Sequence, residues 1–297
     1  MGAARKIRDA ARTYRGSMTE PERWDSFHPR TGDVILVTPA KSGTTWTQSM
    51  IAMLLHGTTD LPDKLGVVSP WIDAGIAPHE DNLAALDRQK GRRVIKTHTP
   101  PDGWPVWDDV RVVSVFRHPL EVFLSIRKHI QNSKLTDEHP LLDPIDTSLP
   151  YYLDRRFSED EVDRDGLPTI AWFFREVVLS ERWTEKLVLN YAGIARDHLG
   201  TIRALDAFLD SQASDDLMHQ IASATEFGAM KARATDFAPE ASQDFWHDDA
   251  KFFASGRSGT WHSSFTDAQI ELYNRRFAEL LPDPAHRAWI ETGQGDV

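Results

Sequence analysis

The segment from Val34 to Trp46 constrains this chain more than any other. Val34, Ile35, Leu36 and Val37 form an unbroken apolar run, closed by Thr38 and Pro39. A run without polar alternation reads as a strand buried on both faces. After Gly43 the pattern changes. Trp46, Met50, Met53 and Leu54 recur at spacings of three and four, one face of a helix, and Gly57 ends the run. A buried strand that enters a helix through a short turn is the repeating unit of a parallel α/β sheet.

The rest of the chain repeats this unit. Arg93 to His98 reads as a second strand, ending at Pro100 and Pro101. Arg111 to Phe116 is a third and runs into Arg117, His118 and Pro119, with proline well placed at a helix start. Val122, Phe123, Ile126 and Ile130 continue that helix. A helical pattern over about 169–184 precedes a fourth strand, Lys186 to Asn190, and another covers 267–281. The predicted fold class is therefore α/β, a single domain with a central parallel β-sheet flanked by helices. Ligands in such sheets bind beyond the carboxyl ends of the strands. The 297 residues contain no linker-like composition shift, so we expect an N-terminal extension over 1–23 and one domain over 24–297.

Composition narrows the function. With 34 basic and 45 acidic residues the net charge is −11, which argues against a nucleic-acid partner. An anionic ligand must then be held by local amides and a few placed cations. There is no cysteine, and the 12 histidines are scattered, so no metal site is expected. Met1 to Arg15 is basic and polar without a secretory apolar run, and no stretch is long enough to span a bilayer. A cytoplasmic protein without membrane insertion is expected.

Three places carry chemistry. The turn containing Lys41, Ser42, Gly43, Thr44 and Thr45 ends on a helix N-terminus, where unpaired amides and a partial positive charge suit a phosphate. It lacks the glycine that a Walker A loop places upstream of its lysine. Read alone, it is equally an ordinary capped turn. Lys96 and His98 project to the same side of the second strand, and the ammonium disfavours imidazolium, leaving His98 able to take a proton. Arg117 follows the third strand and Ser125 lies eight residues on, two helical turns away, so both could reach one phosphate.

Together these motifs resemble the cytosolic-type sulfotransferases. The carriers are Thr38-Pro-Ala-Lys-Ser-Gly-Thr-Thr-Trp46, Lys96-Thr-His-Thr-Pro100, Arg117 to Ser125, and Phe252 to Trp261, and their wording is closest to bacterial members. The resemblance implies a P-loop-kinase-like sulfotransferase fold. It also implies that a sulfuryl group passes from 3′-phosphoadenosine 5′-phosphosulfate to a hydroxyl or amine, releasing 3′,5′-ADP. By the same resemblance Lys41 neutralises the leaving phosphate, Ser42 to Thr45 hold the 5′-phosphate, and Trp46 packs on the adenine. His98 is implied as general base and Lys96 as an auxiliary cation. Arg117 and Ser125 take the 3′-phosphate, and Ser125 also restrains Lys41. Tyr191, Thr225 and Phe227 lie near the nucleotide. In the last motif Ala254 and Ser255 replace the usual basic pair, so Arg257, with Ser258 and Gly259, is expected to complete the phosphate site. His262 and Asp267 depart from the family's dimer motif, so a monomer or weak homodimer is expected.

The acceptor is expected to be a small hydrophobic or aromatic molecule. Segments 62–90, 132–168 and 235–258 supply Trp71, His79, Tyr151, Tyr152, Phe237, Phe245 and Trp246 as candidate pocket residues. The stretch Ser158 to Asp163 reads as a solvated acidic face. Two other readings differ in class: a P-loop kinase, and a non-catalytic adenine-nucleotide-binding module.

Overall fold

The computed structural model describes residues 2–134, 138–239, 245–253, 256, 258–295 and 297. Six strands are present among them: β1 (Lys6–Arg8), β2 (Val34–Val37), β3 (Val94–Thr97), β4 (Val106–Trp107), β5 (Arg111–Phe116) and β6 (Lys186–Asn190). The central sheet runs β3-β2-β5-β6 and every pairing in it is parallel. These are the four strands read from the apolar runs. β1 and β4 form a separate antiparallel pair.

Both faces of the central sheet are covered. Because side chains alternate along a strand, Ile35, Val37, Val112 and Phe116 enter one core with Phe123 and Ile126 of the Pro119–Asn132 helix and Tyr273 and Phe277 of the Asp267–Leu280 helix. Val34, Leu36, Val113 and Val115 enter the other. There they meet Met50 and Met53 of the Thr44–His56 helix, and Ile202 and Ile221 from the His198–Leu209 and Asp215–Ala224 helices. Continuous apolar runs are what a sheet buried on both sides requires. At the opposite edge from the site, Asp33 and Arg93 form a buried pair, Oδ2 to Nη2 2.5 Å.

One element differs from the sequence expectation. The helix read over 169–184 spans Leu167–Phe174, continues as a π-helical turn over Arg175–Leu179, and stops there. Lys186 then closes the segment by donating to the carbonyls of Val177, Val178 and Ser180. Before residue 24 most side chains are exposed, but two anchor the segment to the rest of the chain. Tyr14 is fully buried, its hydroxyl 2.9 Å from Asp102, and Thr19 is buried beside Asp163.

All four central strands end at one edge. Parallel register sets Val37 beside Thr97, and Phe116 beside Asn190. The next residues along the chain are the Thr38 turn, His98, Arg117 and Tyr191. Four segments distant in sequence are thereby delivered to one place. Among the described residues, no helix is long and apolar enough to cross a membrane.

Candidate active site

A cavity of about 820 Å³ opens at that edge. On one side it is lined by Lys41, Gly43, Thr44, Thr45 and Trp46, with Lys96 and His98 beside them. Arg117, Ser125, Tyr191, Thr225 and Phe227 complete that end.

The turn after β2 is held open by its backbone. Lys41 has φ 59° and Gly43 φ 117°, both left-handed. At Gly43 a Cβ would stand 2.9 Å from the ring of Tyr191, so conformation and packing both demand glycine. Gly43 caps the Thr44–His56 helix without a side-chain hydrogen bond. The first amides of the helix therefore have no side-chain cap at that position. Thr44 Oγ1 pairs with Thr38 Oγ1 at 2.6 Å. The Ser42 hydroxyl and the Trp46 indole N–H are buried and make no hydrogen bond among the described residues. A helix start with unpaired buried polar groups fits an anionic group that carries several acceptors.

Three cations converge here. The Lys96 ammonium lies 4.6 Å from the Trp71 ring. The Arg117 guanidinium stacks over Tyr191 at 4.2 Å and donates from Nε to Glu121 at 3.0 Å. Lys41 reaches His129, with Nζ 3.0 Å from Nδ1. Burial, reinforced by the charges of Arg117 and Lys96, pulls the Lys41 ammonium down to about 7.

His98 sits among these charges. Its Nδ1 lies 2.8 Å from the Thr38 carbonyl, and that contact requires a proton on Nδ1. Nε2 is then the free acceptor. Burial first, and Lys96 next, push the imidazole down to about 3, so it is neutral at ordinary pH. Trp71 packs edge-on against it, with centroids 4.8 Å apart and planes at 89°.

On the adenine side expected from the sequence, Trp46 meets Tyr191 at 5.3 Å and His198 at 5.0 Å. Thr225 is buried, its Oγ1 2.7 Å from the Ile221 carbonyl and 3.0 Å from His198 Nε2. Ser42 lies under the turn and outside the cavity lining. Ser258 and Gly259 line a smaller neighbouring pocket, which shares Arg117 and Glu121 with the main one. The Gly259 amide donates to Glu121, so this residue holds both the Arg117 guanidinium and the C-terminal loop. Arg257 lies outside the described residues.

Aromatic side chains also line the cavity. Trp71, Tyr151, Phe245 and Trp246 line it as expected, with Phe173 and Phe252. His79, Tyr152 and Phe237 do not. His79 meets the Ser26 hydroxyl at 2.8 Å, the Tyr152 hydroxyl donates to the Pro119 carbonyl at 3.0 Å, and Phe237 is in the core. Asp163 is not a solvated residue: it accepts from the Met18 and Thr19 amides at 2.6 and 3.1 Å and lines the cavity. Asp165 lines it too, and burial pushes its carboxyl up to about 7. The sequence reading missed His129 and Asp165. Helical spacing could have found the first, since His129 follows Ser125 by one turn.

A parallel sheet whose strand ends present an anion-binding helix start, three cations and a neutral imidazole to one cavity defines a nucleotide-dependent group-transfer enzyme. Residues 31–284 match the family described as sulfotransferase domain, and the chain belongs to the sulfotransferase family. It is a sulfotransferase whose donor is 3′-phosphoadenosine 5′-phosphosulfate. This replaces the kinase and non-catalytic alternatives. The chain is 32% identical to a glycolipid sulfotransferase of Mycobacterium bovis, covering 95% of this chain and 94% of the relative. It is 24% identical to human sulfotransferase 2A1, covering 87% of each. The fold is similar to mouse sulfotransferase SULT7A1 complexed with PAP, with TM-score 0.68, 21% identity, and coverage of 90% and 91%. Retinol dehydratase in complex with androsterone and inactive cofactor PAP gives TM-score 0.69, 17% identity, and coverage of 88% and 84%.

Proposed function

We propose that this enzyme sulfates a hydroxyl or amine of a small hydrophobic or aromatic acceptor, with His98 as general base. One observation carries the reading. The contact from His98 Nδ1 to the Thr38 carbonyl leaves Nε2 free, neutral and on the cavity wall beside Lys41 and Lys96.

Each residue then has a task. His98 Nε2 takes the acceptor proton as the acceptor atom bonds to sulfur and the bond between sulfur and the phosphate oxygen breaks. Lys41 and Lys96 offset the negative charge left on that phosphate. The amides after Gly43 and the hydroxyls of Thr44 and Thr45 hold the 5′-phosphate. Arg117 and Ser125, with Arg257, Ser258 and Gly259, hold the 3′-phosphate. Trp46, Tyr191, Thr225 and Phe227 border the adenine. The donor supplies an activated sulfuryl group and a phosphate leaving group. The uncapped helix start after Gly43 and the cation cluster fit it.

The aromatic lining, with Phe173, Phe245, Trp246 and Phe252, supports an acceptor with a hydrophobic body. The name of the mycobacterial relative agrees with a lipid-like one. The proposal extends to a cytoplasmic monomer or weak homodimer with residues 24–297 as the sulfotransferase domain. The test is an acceptor screen read as 3′,5′-ADP release, repeated with Lys41→Ala and His98→Ala. Full turnover by His98→Ala rejects the base assignment, and preference for strongly polar acceptors rejects the acceptor class.

A further inference from the structure

His129 takes no part in the chemistry above, yet it makes a direct polar contact with the Lys41 ammonium, 3.0 Å from Nζ to Nδ1. An ammonium has only protons to offer, so Nδ1 accepts and the ring carries its own proton on Nε2. Burial and the Lys41 charge hold this imidazole well below its ordinary value, which keeps Nδ1 available. The same ammonium lies 4.3 Å from the Phe252 ring. Trp246 and Phe252 both pack against the imidazole, at 4.7 and 5.9 Å between centroids, so its orientation is fixed by aromatic neighbours.

The backbone of Lys41 is fixed as well, at φ 59°, leaving its long side chain to be placed by what it meets. The sequence reading gave that task to Ser125. The contact instead runs to His129, four residues further along the same helix. The other charged or titratable groups around this pair are Lys96, His98, Arg117 and Asp165. Asp165 alone adds negative charge among them.

We infer that His129 is the positioning residue for Lys41: its Nδ1 holds the ammonium against Phe252, where the phosphate-loop end of the cavity meets the aromatic end. The role of Lys41 in transfer rests on the proposed function, but its placement by His129 does not. The test therefore reads the free enzyme. Wild type and variants are treated with a trace of acetic anhydride near pH 5.5, where the ammonium form of Lys41 predominates, and the labelling rate of Lys41 is followed by mass spectrometry.

His129→Phe keeps a ring against Trp246 and Phe252 but has no acceptor. Lys41 labelling should rise roughly tenfold, the factor carried by a weak hydrogen bond to a charged group. His129→Asn places an amide oxygen where Nδ1 stood, and the slow rate should return. Slow labelling in folded His129→Phe, or fast labelling in folded His129→Asn, overturns the inference. Retained 3′,5′-ADP binding by calorimetry identifies the folded variants. Slow labelling of Lys41 in the wild type together with undiminished transfer by Lys41→Ala would reject its proposed role and leave this inference standing.

Discussion

The Nδ1 of His98 lies 2.8 Å from the backbone carbonyl of Thr38, the residue that opens the turn after β2. Imidazole and turn come from neighbouring parallel strands, so one contact sets the imidazole tautomer and ties it to the loop. Replacing His98 with Asn retains a donor towards Thr38 and removes Nε2. We expect kcat to fall by roughly 10²–10⁴, the usual worth of a general base, with 3′,5′-ADP affinity nearly unchanged. The imidazole stays neutral down to about 3, so kcat/KM should show no acid limb from His98 at its ordinary value near 6.5. A pH–rate profile with such a limb would count against the assignment.

Nucleotide binding should weaken as pH rises above 7. Lys41, at about 7, loses its charge over this range, and Asp165, also at about 7, gains one. Both changes make the cavity more negative, and the ligand's phosphates are already largely dianionic above pH 7. Binding at pH 8 should take up protons, and affinity for 3′,5′-ADP should fall roughly three- to tenfold between pH 7 and 8.5. Calorimetry in two buffers of different ionisation enthalpy measures both. A flat affinity with no proton uptake refutes this coupling.

Gly43→Ala should lose nucleotide binding before it loses its fold. The backbone there is at φ 117°, and the new Cβ would meet Tyr191 at 2.9 Å. Strain of this kind costs about 1–3 kcal/mol. A melting temperature lowered by a few degrees with 3′,5′-ADP binding abolished is the expected pair of results. Wild-type affinity in this variant would show that the turn tolerates a side chain.

Trp71 touches both members of the β3 pair, edge-on to His98 at 4.8 Å and beneath Lys96 at 4.6 Å. Trp71→Ala should lower kcat at least roughly tenfold by releasing the base from its position. Trp71→Phe, which keeps a ring, should retain most of it. Steady-state kinetics and 3′,5′-ADP titration separate this from lost nucleotide binding, which we expect to be unaffected. Equal kcat in the Ala variant would mean that Thr38 alone orients His98.

Much of this was legible in the residues themselves. Apolar runs at 34–37, 94–97, 111–116 and 186–190 marked the four sheet strands, because burial on both faces leaves no polar alternation to obscure them. Gly43 and Pro119 marked helix starts for local steric reasons. His129 escaped because its partner, Lys41, is 88 residues away in the chain, and only the packing of the Pro119–Asn132 helix brings them together. His79, Tyr152 and Phe237 were misplaced because each lies on a helix, His79–Arg88, Ile145–Asp154 and Ala234–Phe237, whose packing against the rest of the chain turns the ring away from the cavity. Asp163 looked solvated in a run of acids, but the segment at Met18 and Thr19 folds over it.

The sequence by itself determined the order of the sheet strands and their following helices, the strand-to-helix turn at Gly43, and the strand ends at which cations and an imidazole emerge. These follow from periodicity and backbone sterics, which act over a few residues. The tertiary structure decided which of those ends share a cavity, which nitrogen of His98 is free, and where the Lys41 ammonium rests. It also decided that Lys41, His98 and Asp165 titrate away from their ordinary values. Such properties depend on desolvation and on charges brought close by parallel strand pairing, and no local stretch of chain contains them.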